Sequence, residues 1–278
     1  MRFVFFERMR PRGAAYTGLY GRGNSMAGRQ SGMALAVLAL SGMMYALTSL
    51  LPAEAVPAAA EQITQTVTMQ AFGGTAVQMG MHAAAVDARM DAGRLMGRGS
   101  AGYVRFDGGY RVLGTMADTR EAAEELCRSL QADGMAVVCY DCAGQALTMK
   151  VTGESSDIDA LTAAIHAVDM AAVQPGKIAQ QMEAAQMDAQ RARSLAAMLV
   201  SDLETAQADL RDAGGQRTIC GALDDLMTDA IAALEPLTRH DGRPDVMLPA
   251  EMRCAGMAVR FSREDMIRAL QEKQTPQV

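Results

Sequence analysis

Gly102-Tyr103-Val104-Arg105-Phe106-Asp107-Gly108-Gly109-Tyr110-Arg111-Val112-Leu113 is the stretch from which the fold can be worked out. Two alternating runs flank Asp107-Gly108-Gly109, the pattern of two strands joined by a tight turn. A three-residue loop with Gly109 left-handed pairs Phe106 with Tyr110, Arg105 with Arg111, and Val104 with Val112. That register keeps Val104, Phe106 and Val112 on one face. A two-residue Asp-Gly loop would set Val104 opposite Arg111 and mix the faces, so the longer loop is expected.

Working outward, Ala76-Val77-Gln78-Met79-Gly80-Met81 alternates as a strand. A helix follows, with Ala85, Ala88, Ala92 and Leu95 on one side and Gly97-Arg98-Gly99 ending it. Past the hairpin, Asp118 and Glu121 form a capping-box-like start to a helix carrying Ala123, Leu126, Cys127 and Leu130. Met135 to Tyr140 reads as the next strand. The order strand, helix, strand, strand, helix, strand predicts an α+β, ferredoxin-like βαββαβ unit with both helices on one face of a four-stranded sheet. The other face is expected to be open. Gln78, Tyr103, Arg105, Arg111 and Leu113 fall there by alternation. Arg105 and Arg111 stand opposite each other, which costs stability unless an anion lies between them or they splay toward Asp107 or Asp141.

Val77-Gln78-Met79-Gly80-Met81 resembles the first strand of SPOR domains, the sporulation-related peptidoglycan-binding repeat. Tyr110-Arg111-Val112-Leu113 is similar to that family's third strand, and Thr119 to Leu126 to its second helix. Met81 stands where the family usually has Phe, and Ala117 where its second aromatic is expected. The resemblance covers residues 74–141 and implies binding of glycan strands stripped of stem peptides, at division or sporulation septa. It makes Gln78, Tyr103, Arg105, Arg111 and Leu113 the expected ligand-binding residues. The arginine pair would suit the lactyl carboxylate of muramic acid.

Upstream, residues 30–53 contain no charged side chain, and as a helix they are long enough to cross a hydrocarbon core. Residues 1–29 hold six arginines against Glu7, which predicts a cytoplasmic basic tail, a single-pass anchor in the cell membrane, and an extracytoplasmic remainder. A cleaved signal peptide ending near Ala53-Glu54-Ala55 is the rival, but the leader and the apolar run are both too long for it. Residues 54–73 read as a linker. Residues 142–170 read as an extra strand and a helix. Within 174–238, Ile178, Met182, Ala185, Ala189, Ala192, Ala196, Leu199, Leu203, Ala206 and Leu210 recur at heptad spacing. This predicts one long helix over 178–210, available for self-association, then a helical hairpin. Residues 239–278 form a C-terminal segment with a short helix opening at Ser262.

Composition narrows the function. The first 29 residues carry +5 of a total of −6, so the rest carries −11 and is not expected to bind nucleic acid through bulk charge. GxSxG, HExxH and phosphate-cradling loops are missing, and the acids cluster on helix surfaces, so no enzyme, cofactor or catalytic residue is expected. Cys139-Tyr140-Asp141-Cys142 has the CxxC spacing of thiol oxidoreductases and of half a zinc site. It sits on a strand rather than at a helix N-terminus, and His82, His166 and His240 lack ligand spacing, so no metal site is expected. Structural cysteines are expected, with one disulfide involving Cys127, and Cys220 paired with Cys254 by count alone. The leading expectation is a membrane-anchored peptidoglycan-binding protein. The alternatives are an assembly protein acting through the heptad helix and an extracytoplasmic thiol protein using Cys139 and Cys142.

Overall fold

The computed structural model describes residues 62–142, 144–213, 218–242 and 244–274. The expected tail at 1–29 and span at 30–53 lie outside the described residues. Among the described residues no helix is long and apolar enough to cross a membrane.

The described residues form an α+β structure with two antiparallel sheets and six α-helices. The larger sheet has four strands in the order β3-β4-β2-β5: β2 (Gly74–His82), β3 (Tyr103–Phe106), β4 (Tyr110–Ala117) and β5 (Val138–Cys142). Helix α1 (Ala85–Met96) joins β2 to β3, and α2 (Arg120–Ala132) joins β4 to β5. The hairpin register is the one expected, with Phe106 opposite Tyr110, Arg105 opposite Arg111, and Val104 opposite Val112. Its left-handed residue is Gly108 (φ 64°), not Gly109, because Asp107 N–H reaches back to the Gly109 carbonyl at 2.9 Å. The cap of α2 is Thr119 rather than Asp118: its hydroxyl accepts from Ala122 N–H at 3.2 Å. The last strand starts at Val138, later than the alternation from Met135 implies. Gly134 (φ 82°) and the bond from Gln131 Nε2 to the Val137 carbonyl shape the approach to it.

Both helices pack on one face. Val112 meets Ala88 and Ala92 of α1, and Val77 meets Cys127 of α2. The opposite face is not open over most of its width. Helix α6 (Leu248–Gln274) lays Met257 and Phe261 across Ala76, Leu113 and Cys142, with Tyr103 and Tyr140 packed at the margin. Covering Leu113 and Tyr103 removes two large apolar surfaces from water, each burial contributing on the order of 2 kcal/mol.

The smaller sheet corrects the linker expectation. Ile63–Met69 is a strand, β1, antiparallel to β6 (Leu147–Gly153), with Ile63 opposite Gly153 and Met69 opposite Leu147. Val67, Met69 and Leu147 face inward, while Thr64 meets Thr152 and Thr68 meets Thr148 through their hydroxyls. The whole βαββαβ segment sits between these two strands, and its own ends are adjacent, Gly74 lying opposite Cys142.

The remaining helices are α3 (Ser155–Glu183), α4 (Ala189–Asp212), α5 (Thr218–Leu234) and α6. Each packs on its neighbour in sequence, and α6 closes the cycle against α3. Helix α3 runs through Pro175-Gly176 instead of restarting there, and α6 crosses it at Gly256, 3.3 Å from Pro175 Cβ to where a side chain would begin. The single helix expected over 178–210 is broken. Ala185 is left-handed (φ 54°), Gln186 N–H bonds the Gln181 carbonyl at 2.8 Å, and Asp188 caps α4 through Arg191 N–H at 2.7 Å. Folding back places Ala192, Ala196, Leu199, Leu203, Ala206 and Leu210 in the core of the same chain. The heptad spacing is therefore satisfied inside the molecule, at the cost of one strained alanine.

Candidate functional site

Strand register brings all five expected residues onto one face. Tyr103, Leu113 and Gln78 form one row, with Val138 continuing it on β5, and Arg105 and Arg111 form the next. The α6 cover then divides them. Leu113 is buried. The Tyr103 ring stacks on Phe261 with centroids 5.3 Å apart and planes 11° from parallel, and burial pushes its phenol well above its ordinary range. Arg105 lies over the same Phe261 ring at 4.2 Å and donates from Nη2 to Asp265 Oδ1 at 3.1 Å. Burial works against its charge, and Asp265 together with the Tyr103 and Tyr140 phenols more than offsets this, leaving Arg105 above its usual value.

Gln78 and Arg111 lie toward the other end of the face. Arg111 Nη1 donates to Gln78 Oε1 at 2.6 Å, its Nε lies 3.4 Å from Asp107 Oδ2, and its guanidinium rests 4.8 Å above the Tyr140 ring. Tyr140 in turn donates to Asp107 Oδ2 at 2.9 Å, and burial and this bond raise its phenol. The two opposed arginines thus splay to separate carboxylates. Asp141 serves neither of them; it accepts from Arg120 and Thr75. The Arg111 side chain keeps 23% of its surface exposed, and the flanking Val138 and Met81 are each 52% exposed. A guanidinium and a phenol therefore line a strip that water reaches, with the buried Gln78 amide bonded to the guanidinium behind them. This set can bond hydroxyls and a carboxylate and stack against a sugar ring.

A second concavity, of about 560 Å³, lies where the start of α2 (Asp118, Thr119) faces Lys177 on α3 and Arg253 and Arg260 on α6. Its two arginines are engaged: Arg253 bonds Glu183 and the Gly99 carbonyl, and Arg260 bonds the Gly73 carbonyl.

The thiols separate. Cys139 faces α2 and lies 3.0 Å from Cys127, sulfur to sulfur, whereas Cys142 is buried on the opposite face under α6. A spacing of three along a strand sends the two side chains to opposite sides. Cys220 belongs to the helical core and Cys254, on α6, packs against the cluster between that helix and the sheet, and the two are not joined. Among the described residues no three His, Cys, Asp or Glu side chains converge as a metal site.

Sequence reading missed Tyr140 as part of the strip and missed Phe261 and Asp265 as its neighbours. Alternation backward from Cys142 could have placed Tyr140. Nothing local in Arg260-Phe261-Ser262-Arg263-Glu264-Asp265 points to a sheet. Comparison with family models, curated proteins and solved structures returns no match.

Proposed function

We propose that this chain is a non-catalytic, membrane-anchored protein that binds peptidoglycan glycan strands outside the cytoplasm, at division or sporulation septa. In this reading the 30–53 span holds it in the cell membrane and the α3–α6 bundle is the base on which the sheet stands. The strand order β3-β4-β2-β5, with a helix in each half, is the ferredoxin-like arrangement that a SPOR-type domain implies, and it supports the reading. The observation that carries it is the partly exposed strip in which the buried Gln78 orients Arg111 above Tyr140. Tyr103, Arg105 and Leu113 beneath α6, and the buried Gln78, then support the strip, and the sugar meets Arg111 and Tyr140. The heptad residues and the Cys139/Cys142 pair each have a place inside the fold, so neither alternative draws support from the geometry.

Co-sedimentation with purified, peptide-free glycan strands tests the proposal. Arg111→Ala removes one charge-assisted contact and should weaken binding by about 1.5 to 3 kcal/mol, roughly ten- to a hundredfold. Its circular dichroism should match the parent's, because Arg111 is partly exposed and meets the core under α6 only at its margin, through Tyr140. Undiminished retention of the variant would show that the strip is not the binding surface.

A further inference from the structure

Cys127 and Cys139 are held together by packed secondary structure rather than by a loop. Cys127 lies on the inner face of α2, buried with Val77 and Val137, and Cys139 on β5 is fixed opposite Val77 of β2. Their sulfurs are within hydrogen-bonding distance, 3.0 Å apart. We infer that this pair is a site of oxidative cross-linking, closing to a disulfide that staples helix α2 to the edge strand β5. The inference does not depend on glycan binding. It separates the reactive partner of Cys139 from the one its CxxC spacing implies, since Cys142 lies across the sheet among Ala76, Leu113, Met257 and Phe261.

A small-molecule disulfide is the oxidant class the site would take. The Cys139 thiolate, from the less buried residue of the pair, attacks one sulfur of the reagent. An S–S bond forms to Cys139, the reagent's own S–S bond breaks, and one thiolate leaves. Cys127 then attacks the Cys139 sulfur of this mixed disulfide, forming the Cys127–Cys139 bond and expelling the second thiolate. Two protein thiols are oxidised and one reagent disulfide is reduced to two thiols. The protons lost by the cysteines go to the two leaving groups. Burial pushes the Cys127 thiol up to about 12, consistent with Cys139 reacting first. Such a staple closes a short loop and persists in an oxidising compartment.

The test is oxidation of the full-length chain with oxidised glutathione, followed by alkylation and peptide mass mapping. The expected product is a monomer lighter by two hydrogens, with the 127- and 139-containing peptides linked. Its Tm should rise by roughly 5 to 15 °C, reversed by dithiothreitol. Cys142→Ser should keep the link and the shift, and Cys139→Ser should lose both. Glutathione left on Cys139, a Cys139–Cys142 link, or Cys127 and Cys139 both still open to alkylation would overturn the inference, and the unmodified chain alone decides among these outcomes.

Discussion

Truncating Phe261 to alanine should loosen the sheet from the helical bundle. Phe261 is 1% exposed, stacks on Tyr103 and carries the Arg105 guanidinium over its ring. Removing a buried phenylalanine side chain costs about 3 to 5 kcal/mol. The aromatic pair, about 0.5 to 1.5 kcal/mol, and the cation–π contact, about 0.5 to 2, are losses of the same ring and are not added to that figure. For a folded region of this size the change lowers Tm by roughly 6 to 20 °C. Tyr103 supplies a second readout. Its phenol is held neutral by burial, so the stability linked to it is fully present below about pH 10 and is lost as pH rises through the folded-state value. Spectrophotometric alkaline titration should show Tyr103 resisting ionisation in the parent, alongside a smaller effect at Tyr140, and the Tyr103 contribution moving down in Phe261→Ala and vanishing in Tyr103→Phe. Phe261→Leu, which keeps most of the apolar area, should show less than half the loss in Tm. A variant with an unchanged Tm and an unchanged titration would refute the docking of α6 on the sheet.

Two further substitutions probe the helical part. Ala185→Gly should stabilise the chain by about 0.5 to 1 kcal/mol in urea unfolding, because glycine takes the left-handed cap without strain and this outweighs its greater freedom when unfolded. A loss of stability would mean that the α3–α4 turn is not left-handed there. Glu264 is buried, and burial raises its carboxyl despite Arg105 and Arg260 nearby. A raised folded value contributes stability that is fully present below the ordinary carboxylate range and is lost as pH rises through it. Glu264→Gln should therefore match the parent near pH 3 and melt higher at pH 7, and thermal scans across that range in which the parent is the more stable at pH 7 would reverse the sign.

What could be read in advance was local. The hairpin register followed from keeping Val104 and Val112 on one face, and α1, α2 and the sheet partners followed from short periodic runs next to glycines. Non-local competition accounts for the rest. Ile63, Gln65, Val67 and Met69 alternate, but the run pairs with Leu147–Gly153, far along the chain, and beside Ala and Pro it resembles a tether. Helix α6 buries Met252, Val259 and Ile267 against the bundle and Met257 and Phe261 against the sheet, so no single stripe marks it. A heptad looks the same whether its partner is another chain or the preceding helix, and only the turn at Ala185 decides between them. The five expected ligand residues do share a face, yet alternation is blind to a helix arriving from residue 248 onward.

The β1–β6 ladder bears on the order in which the chain can fold. Met69 and Leu147 lie opposite each other, so residues 70–146 form the loop of what is otherwise an ordinary hairpin. Closing a flexible loop of that length costs about 4 kcal/mol of chain entropy beyond a constant, against about 2 kcal/mol for the short connectors 70–73 and 143–146 alone. The βαββαβ segment removes the difference if it folds first, because its ends, Gly74 and Cys142, come to rest side by side. The N-terminal strand then waits on an element that emerges later from the ribosome. By the same geometry, residues 70–146 could be exchanged for a two-residue turn joining β1 directly to β6, leaving the helices around α3 with the ribbon they pack against.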